Sequence, residues 1–210
     1  MINVLIADDH PLVRAGIRQC LMDDGQIREI GEAATGQQTM DKLRSGPWDL
    51  LILDINMPDR SGLDILKHVC SGFPATRVLV VSGFPESQYA VNMLRAGASG
   101  FVPKDSPPSD LLKAVHTVVS GRRYISAALA ETLVRDLDAG SDKPIHSQLS
   151  EREFQIFCKL ASGKAVSEIA AELFLSVKTV STYRSRVLEK MNFQSNAEIT
   201  AYALRNGLIQ

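Results

Sequence analysis

The chain has 210 residues, 45% hydrophobic and 22% charged, with a formal net charge of −1. That composition suits a soluble globular protein with chain enough for one large domain or two ordinary ones. It excludes a membrane-spanning protein, because no apolar run approaches the ~20 residues that a crossing helix needs. The start, "MINVLIADDH", lacks a basic flank and meets two aspartates within ten residues, so it does not read as a signal peptide and a cytosolic protein is expected. Cys20, Cys70 and Cys158 are too far apart for a disulfide framework or a zinc site and read as small core hydrophobes. The net charge hides an asymmetry: residues 1–120 carry 11 Lys and Arg against 14 Asp and Glu, whereas residues 148–210 carry 8 against 6. The two ends therefore suit different partners.

In chain order, "NVLIAD" (3–8), "DLLILD" (49–54) and "RVLVVSG" (77–83) are rich in Val, Ile and Leu without polar alternation. Strands covered on both faces read this way. "IREIGEA" (27–33) and "GFVPK" (100–104) are shorter strand candidates. Between them, "PLVRAGIRQCLMDD" sets Leu12, Val13, Ile17, Cys20 and Leu21 on one helical face, with Pro11 in the first turn. Further helices are predicted over 37–45, 63–71, 86–96 and 108–120. Five strand–helix repeats predict an α/β domain, a flavodoxin-like doubly wound five-stranded parallel sheet of order 2-1-3-4-5. The fifth strand is then an edge, where Pro103 is tolerated.

Past "SGRRYIS", the stretch "AALAETLVRDLDAG" reads as a short amphipathic helix carrying Leu129, Leu133 and Leu137, and "GSDKPIHSQ" as a linker. The predicted divisions are 1–120 for the first domain, 121–147 for the connecting segment and 148–210 for a small all-α domain of four helices. That domain opens on "LSEREFQIFCKLASG", where Ser150 and Glu153 have capping-box spacing. "VSEIAAELFLS" and "VKTVSTYRSRVLEKM" are two helices joined by a tight turn, and "SNAEITAYALRNGLI" closes the chain.

In an open parallel sheet, the loops at the carboxyl ends of the strands form the ligand crevice. Asp8 and Asp9 end the first predicted strand, and Asp54 ends the third, its expected neighbour. Three carboxylates in so small a space repel one another, and a hard divalent cation such as Mg²⁺ relieves that repulsion. Ser82 ends the fourth strand and Lys104 the fifth. A hydroxyl, an ammonium and a metal converging on one carboxylate suit the transfer of a phosphoryl group to Asp54, giving an acyl phosphate. Met57, Pro58 and Gly62 would shape the loop that follows. His10, His68, His116 and His146 show no clustering that suggests catalysis and read as surface or packing residues.

"ADDHPLVRAGI", "LLILDINMPDRSGLDIL", "VLVVSG" and "AGASGFVPKD" resemble the signature stretches of two-component response-regulator receiver domains over residues 2 to about 120. The resemblance implies Asp8 and Asp9 as the acidic pair that binds Mg²⁺, and Asp54 as the acceptor of phosphate from a sensor histidine kinase or phosphotransfer protein. It implies the backbone carbonyl of Asn56 as a metal ligand, Ser82 as the switch hydroxyl, Phe101 as the switch aromatic and Lys104 as the phosphate-binding cation. Many receivers place proline directly after the lysine. Here Pro103 precedes Lys104 and Asp105 follows it.

In the second half, "VSEIAAELFLSVKTVSTYRSR" has helix-turn-helix spacing. Ile169 and Ala170 would face the core, Leu175 would plug the turn, Ser176 would cap the second helix, and Val180 and Val187 would anchor it. From Val177 to Met191 there are four basic residues and one acid, Glu189. Such a helix fits the DNA major groove. Lys178, Thr179, Tyr183, Arg186 and Lys190 are candidates for phosphate contacts, and Ser181, Thr182 and Ser185 for base edges. Phe174 stands where the turn of this motif often has glycine. The stretch from "LSEREF" to "VLEKM" resembles LuxR-type DNA-binding domains, and together with a receiver it resembles a NarL/FixJ-type response regulator. The resemblance implies double-stranded promoter DNA as a partner, RNA polymerase as a further one, and a homodimer paired through the last helix by Ala197, Ile199, Ala203 and Leu204.

The expected function is transcription regulation in which phosphorylation of Asp54 switches the receiver surface, and through it dimerisation or promoter binding. Two alternatives stand beside it. A Mg²⁺-dependent phosphohydrolase also uses an aspartate after a parallel strand, although such enzymes typically carry a second acid two residues on, where this chain has Asn56. A DNA binder could instead use its receiver only as a dimer scaffold, with no need for three clustered carboxylates.

Overall fold

The computed structural model describes residues 1–22, 24–57, 59–83, 86–131 and 144–209. Among these, β1 (Ile2–Ala7), β2 (Ile27–Ala33), β3 (Leu50–Asp54), β4 (Arg77–Ser82) and β5 (Gly100–Pro103) pair in parallel in the order β2-β1-β3-β4-β5. This is the predicted flavodoxin-like order. The connecting helices are α1 (Pro11–Met22), α2 (Gly36–Ser45), α3 (Gly62–Gly72), α4 (Glu86–Arg95) and α5 (Pro108–Val119). Every residue of β1 and β3 is buried, as is β4 after Arg77. Successive side chains of a strand point to opposite faces, so uninterrupted burial means that helices cover both. That is why these strands read as continuous apolar runs.

The register aligns the strand tips. Ala7 pairs with Leu53, Asp54 with Val81 and Ser82 with Pro103. β1 ends one residue before Asp8, which therefore falls level with Asp54. Pro103 closes β5 at the sheet edge, where its missing N–H costs no ladder bond. The same edge is covered further back. The Tyr124 N–H donates to the Ser99 carbonyl at 2.9 Å, and Tyr124 makes an isolated parallel bridge to Gly100. The segment after α5 is thus anchored to the sheet. Residues 127–131 then turn helical, with the Leu129 N–H donating to Ser126 Oγ and the Leu129 side chain buried. Leu133 and Leu137 lie outside the described residues.

The chain divides into two compact units, Met1–Asp138 and Ala139–Gln210. In the second, a 3₁₀ turn (Ile145–Gln148) precedes α6 (Glu151–Ala161), α7 (Val166–Glu172), α8 (Val177–Met191) and α9 (Asn196–Arg205). Ser150 and Glu153 form a reciprocal capping box at the start of α6. Ile156, Phe157, Ile169, Val180, Val187, Ile199 and Ala203 are completely buried and make the core. Two of these correct the expectation for α9: Ile199 and Ala203 face inward, so of the four residues predicted to pair subunits only Ala197 and Leu204 are exposed. Cys158 is buried among these helices, and burial pushes its thiol up to about 12. Among the described residues no helix is long and apolar enough to cross a membrane.

The 3₁₀ turn belongs to this core rather than to a free linker. The His146 ring lies 5.7 Å from that of Phe154, and its Nδ1 is 2.9 Å from the Tyr202 hydroxyl. Burial holds the His146 pKa below the ordinary histidine value of about 6.5. The unfolded chain then binds a proton more readily than the folded one, so stability is full above pH ~6.5 and falls as pH drops below it, until the folded value is reached. Urea unfolding of the full chain between pH 8 and 5 should show this slope in the second unit, and His146→Phe should remove it.

Candidate functional site

Four strand tips converge at the carboxyl edge of the sheet. Asp54 closes β3, Asp8 and Asp9 follow β1, and Lys104 follows β5. The Lys104 ammonium lies 2.7 Å from Asp54 Oδ2 and 2.6 Å from Asp8 Oδ2. Asp8 and Asp54 are almost fully buried, and the Asp9 side chain is 30% exposed. Carboxylate atoms of Asp8, Asp9 and Asp54, with an imidazole nitrogen of His10, all lie within 4.8 Å of one another. Ser82 and Phe101 are completely buried, on β4 and β5. The Lys104 N–H donates to the Ser82 carbonyl at 2.7 Å, which ties the two strand tips together.

The electrostatics are unbalanced. Burial pushes the Asp54 carboxyl above the ordinary carboxylate range; Lys104 pulls it back, and the charge of Asp8 adds to the rise. Burial also works against the Lys104 charge, but Asp54 and Asp8 outweigh it and raise the ammonium pKa. Asp8 and Asp54 share one ammonium and Asp9 faces an imidazole, which with His10 neutral leaves a formal excess of two negative charges. Asp8 Oδ2 and Asp9 Oδ1 are screened from solvent and make ion contacts with Lys104 and His10, but no well-directed hydrogen bond. The three carboxylates of this cluster, with that charge excess, fit a small, hard divalent cation.

The surrounding backbone is held tightly. The Asn56 N–H donates to Asp54 Oδ1 at 3.1 Å, so the β3–α3 loop folds back on the carboxylate. Gly62 closes that loop: a Cβ there would sit 2.5 Å from Ile55 Cα, closer than any side chain can approach. Asp59, in the same loop, accepts from the N–H groups of Gly36 and Gln37 at 2.6 and 2.8 Å, which clamps the loop to the start of α2. On the other side, Arg14 Nη1 donates to the Asp8 carbonyl at 2.7 Å.

In the second unit, α7 and α8 form a helix pair joined at Leu173–Ser176. Ser176 caps α8 by accepting from the Thr179 N–H at 3.0 Å. Val180, Val187 and Met191 fix one face of α8 in the core. The opposite face exposes Val177, Lys178, Ser181, Thr182, Ser185 and Arg186. Thr179 and Tyr183 are half-buried at its margin, and Arg186 lies over the Tyr183 ring, 5.9 Å from its centroid.

A family model for the response regulator receiver domain matches residues 4–116, and one for the luxR family of bacterial regulatory proteins matches residues 147–203. Response regulator UvrY of Escherichia coli (strain K12) is 34% identical over 209 residues, covering 99% of this chain and 96% of UvrY. The chain is a response regulator. It belongs to the NarL/FixJ branch, which joins a receiver to a LuxR-type DNA-binding domain. Response regulator GacA of Pseudomonas protegens is 35% identical over 210 residues, covering all of this chain and 98% of GacA. RcsB of Salmonella enterica serovar Typhimurium, solved on promoter rprA in the presence of the phosphomimetic BeF3⁻, superposes with a TM-score of 0.66 at 27% identity, covering 96% of this chain and 98% of that one.

Two residues stand differently from their sequence reading, and a third, Asp59, carries none. His10 lies against the acidic pair of this response regulator, its Nδ1 2.6 Å from Asp9 Oδ1; only its place directly after Asp8 and Asp9 hinted at this. Asp59 was visible merely as a loop aspartate. Lys190, expected at DNA phosphates, is held 2.6 Å from the buried Glu153 carboxylate. Burial alone would raise the Glu153 pKa, yet Lys190 and the Ser150 N–H bring it below the usual range. Lys190 thus closes the capping box of α6. Lys190→Met should destabilise the second unit by about 1 kcal/mol, a modest loss because the lysine is partly solvated, read by urea unfolding. Gly62→Ala should cost the receiver about 1–3 kcal/mol through forced backbone movement, read by thermal melting.

Proposed function

We propose that this response regulator binds promoter DNA under the control of phosphorylation at Asp54. The observation that carries this reading is the Lys104 ammonium bridging Asp54 and Asp8 in a pocket with two excess negative charges. A structural ion pair has no need of the further carboxylate of Asp9 beside it, whereas a phosphoryl-transfer site needs that excess to hold a metal. Asp8, Asp9, Asp54 and the Asn56 carbonyl would hold Mg²⁺. When bound, the metal neutralises charge on the oxygens of the incoming phosphoryl group.

In this reading, an oxygen of Asp54 attacks phosphorus in line as the donor's bond to phosphorus breaks, and the product is an acyl phosphate on Asp54. Lys104 turns from the free carboxylate to the phosphoryl oxygens, and the Ser82 hydroxyl donates to another of them. The donor is a sensor histidine kinase or a phosphotransfer protein. Since β5 carries Phe101 three residues before Lys104, a shift of Lys104 repacks the aromatic and changes the receiver surface. The segment 121–147 joins that surface to the DNA-binding domain of residues 148–210. On α8, Lys178, Thr179, Tyr183 and Arg186 position the protein on phosphates, while Ser181, Thr182 and Ser185 approach base edges. RcsB, a relative of the same architecture, has been solved on promoter DNA with a phosphomimetic, which supports this division of labour. Exposed Leu204 on α9 suits pairing of two copies on a two-fold site. The protein works in the cytoplasm, meets RNA polymerase at the promoter, and is not an enzyme with turnover of its own.

The test is incubation with acetyl phosphate and Mg²⁺, with wild type beside Asp54→Asn. Intact mass should show one added phosphoryl group on the wild type only, abolished by a chelator, and the modified protein should gain affinity for genomic fragments. Modification of Asp54→Asn to the same extent, or steady hydrolysis of a simple phosphomonoester by the wild type, would refute the reading.

A further inference from the structure

Phe174 breaks two rules at once. It takes a φ of +53° in the turn before α8, the left-handed conformation that glycine accepts without strain, and its side chain is 75% exposed. The left-handed residue ends α7, with the Leu175 N–H donating to the Ala170 carbonyl at 2.9 Å, but glycine would make the same turn with a relaxed backbone and no apolar ring in water. A phenylalanine in place of glycine at such a turn points to a contact outside the chain. Three residues later Val177, the first residue of α8, is 53% exposed. These two are the large apolar side chains beside the start of an otherwise polar helix face.

The surroundings name the partner. Val177, Ser181 and Ser185 are four residues apart and form one exposed stripe, flanked by Lys178, Thr182 and Arg186. Glu172, the acid nearest the turn in sequence, is neutralised by ion pairs to Lys159 and Lys164. The start of the stripe therefore meets a polyanion without opposition, and Glu189, the one acid of the helix, comes only a turn beyond Ser185. Ser185 Oγ donates to the Ser181 carbonyl, and Thr182 Oγ1 to the Lys178 carbonyl, so both hydroxyls turn acceptors outward. Along the major groove the apolar group on a base edge is the C5 methyl of thymine. We propose that Phe174 and Val177 form an apolar specificity element that packs on thymine methyl groups, selecting thymine where the start of α8 enters the groove. This rests on the reading of α8 as the DNA-contacting helix.

The full chain, treated with acetyl phosphate and Mg²⁺, would first select duplexes from a randomised library. Affinity for the most enriched duplex would then be measured at fixed salt with each thymine replaced singly by deoxyuridine, which lacks only the methyl group. Wild type should lose about fourfold at one or two positions, the effect of burying one methyl. Phe174→Gly and Val177→Ala should bind more weakly and be indifferent to deoxyuridine at those positions. Phe174→Gly should also melt at a higher temperature than wild type, which separates lost contact from lost fold. Deoxyuridine tolerated everywhere by the wild type, or variants that select the same thymines as tightly, would overturn this inference alone. A wild type that enriches no duplex would overturn the DNA-reading assignment and this inference with it.

Discussion

One ammonium shared between two buried carboxylates sets the character of the receiver. Lys104 reaches Asp8 and Asp54 from a different strand than either, so the contact exists only when β1, β3 and β5 are in register. A one-residue slip of any of them would turn its side chains to the other face and leave a buried charge alone. The continuous Val, Ile and Leu runs of β1, β3 and β4 prevent that slip by burying both faces. The apolar interior is thus the condition for the polar site. The site in turn is destabilised by design, since burial works against both Asp54 and Lys104 as ions. A pocket relaxed in its resting state would have nothing to gain from a metal or a phosphoryl group.

The second unit uses charge in the opposite way. Its Lys190–Glu153 pair completes a cap, and its lysines 159 and 164 neutralise Glu172. These pairs remove negative charge and fix helix ends, leaving the exposed face of α8 with cations, hydroxyls and one strained apolar corner. Counting basic residues along α8 overstates its free charge by one, because one of the four serves the capping box. What remains for a polyanion is set by where each ammonium is anchored as much as by how many there are.

Most of the fold was legible because its signals are local or periodic. Runs such as "LLILD" announce two-sided burial, Ser150 and Glu153 announce a cap, and Pro103 was consistent only with an edge strand. The acidic site was legible because strand ends must meet in a doubly wound sheet. What escaped depends on three-dimensional approach. The contact of Asp59 with the start of α2 joins residues 22 and 23 apart in the chain, and nothing in the loop sequence points to it. The inward turn of Ile199 and Ala203 depends on which face of α9 meets α6, and an amphipathic pattern of small residues does not decide between core and partner. His10 is exposed, as its sequence reading has it, and what the sequence leaves out is the loop conformation that turns its ring onto the neighbouring Asp9 carboxylate.

The receiver also contains an arrangement that no motif describes. β5 carries, within four residues, the Gly100 that bridges Tyr124 and the buried Phe101, and it delivers Lys104 to the site. Tyr124 belongs to the segment that leads on to the second unit. A displacement of Lys104 by even a bond length acts on a strand with one neighbour in the sheet, β4, because among the described residues its other edge makes only the bridge to Tyr124. Edge strands yield more readily than central ones, which are held by ladders on both sides. Contiguity alone is not coupling. Coupling needs an element with two arrangements of similar energy, and what β5 supplies is the position for one: a four-residue edge strand, paired with β4 on one side and bridged to Tyr124 on the other, that delivers Lys104 to the site.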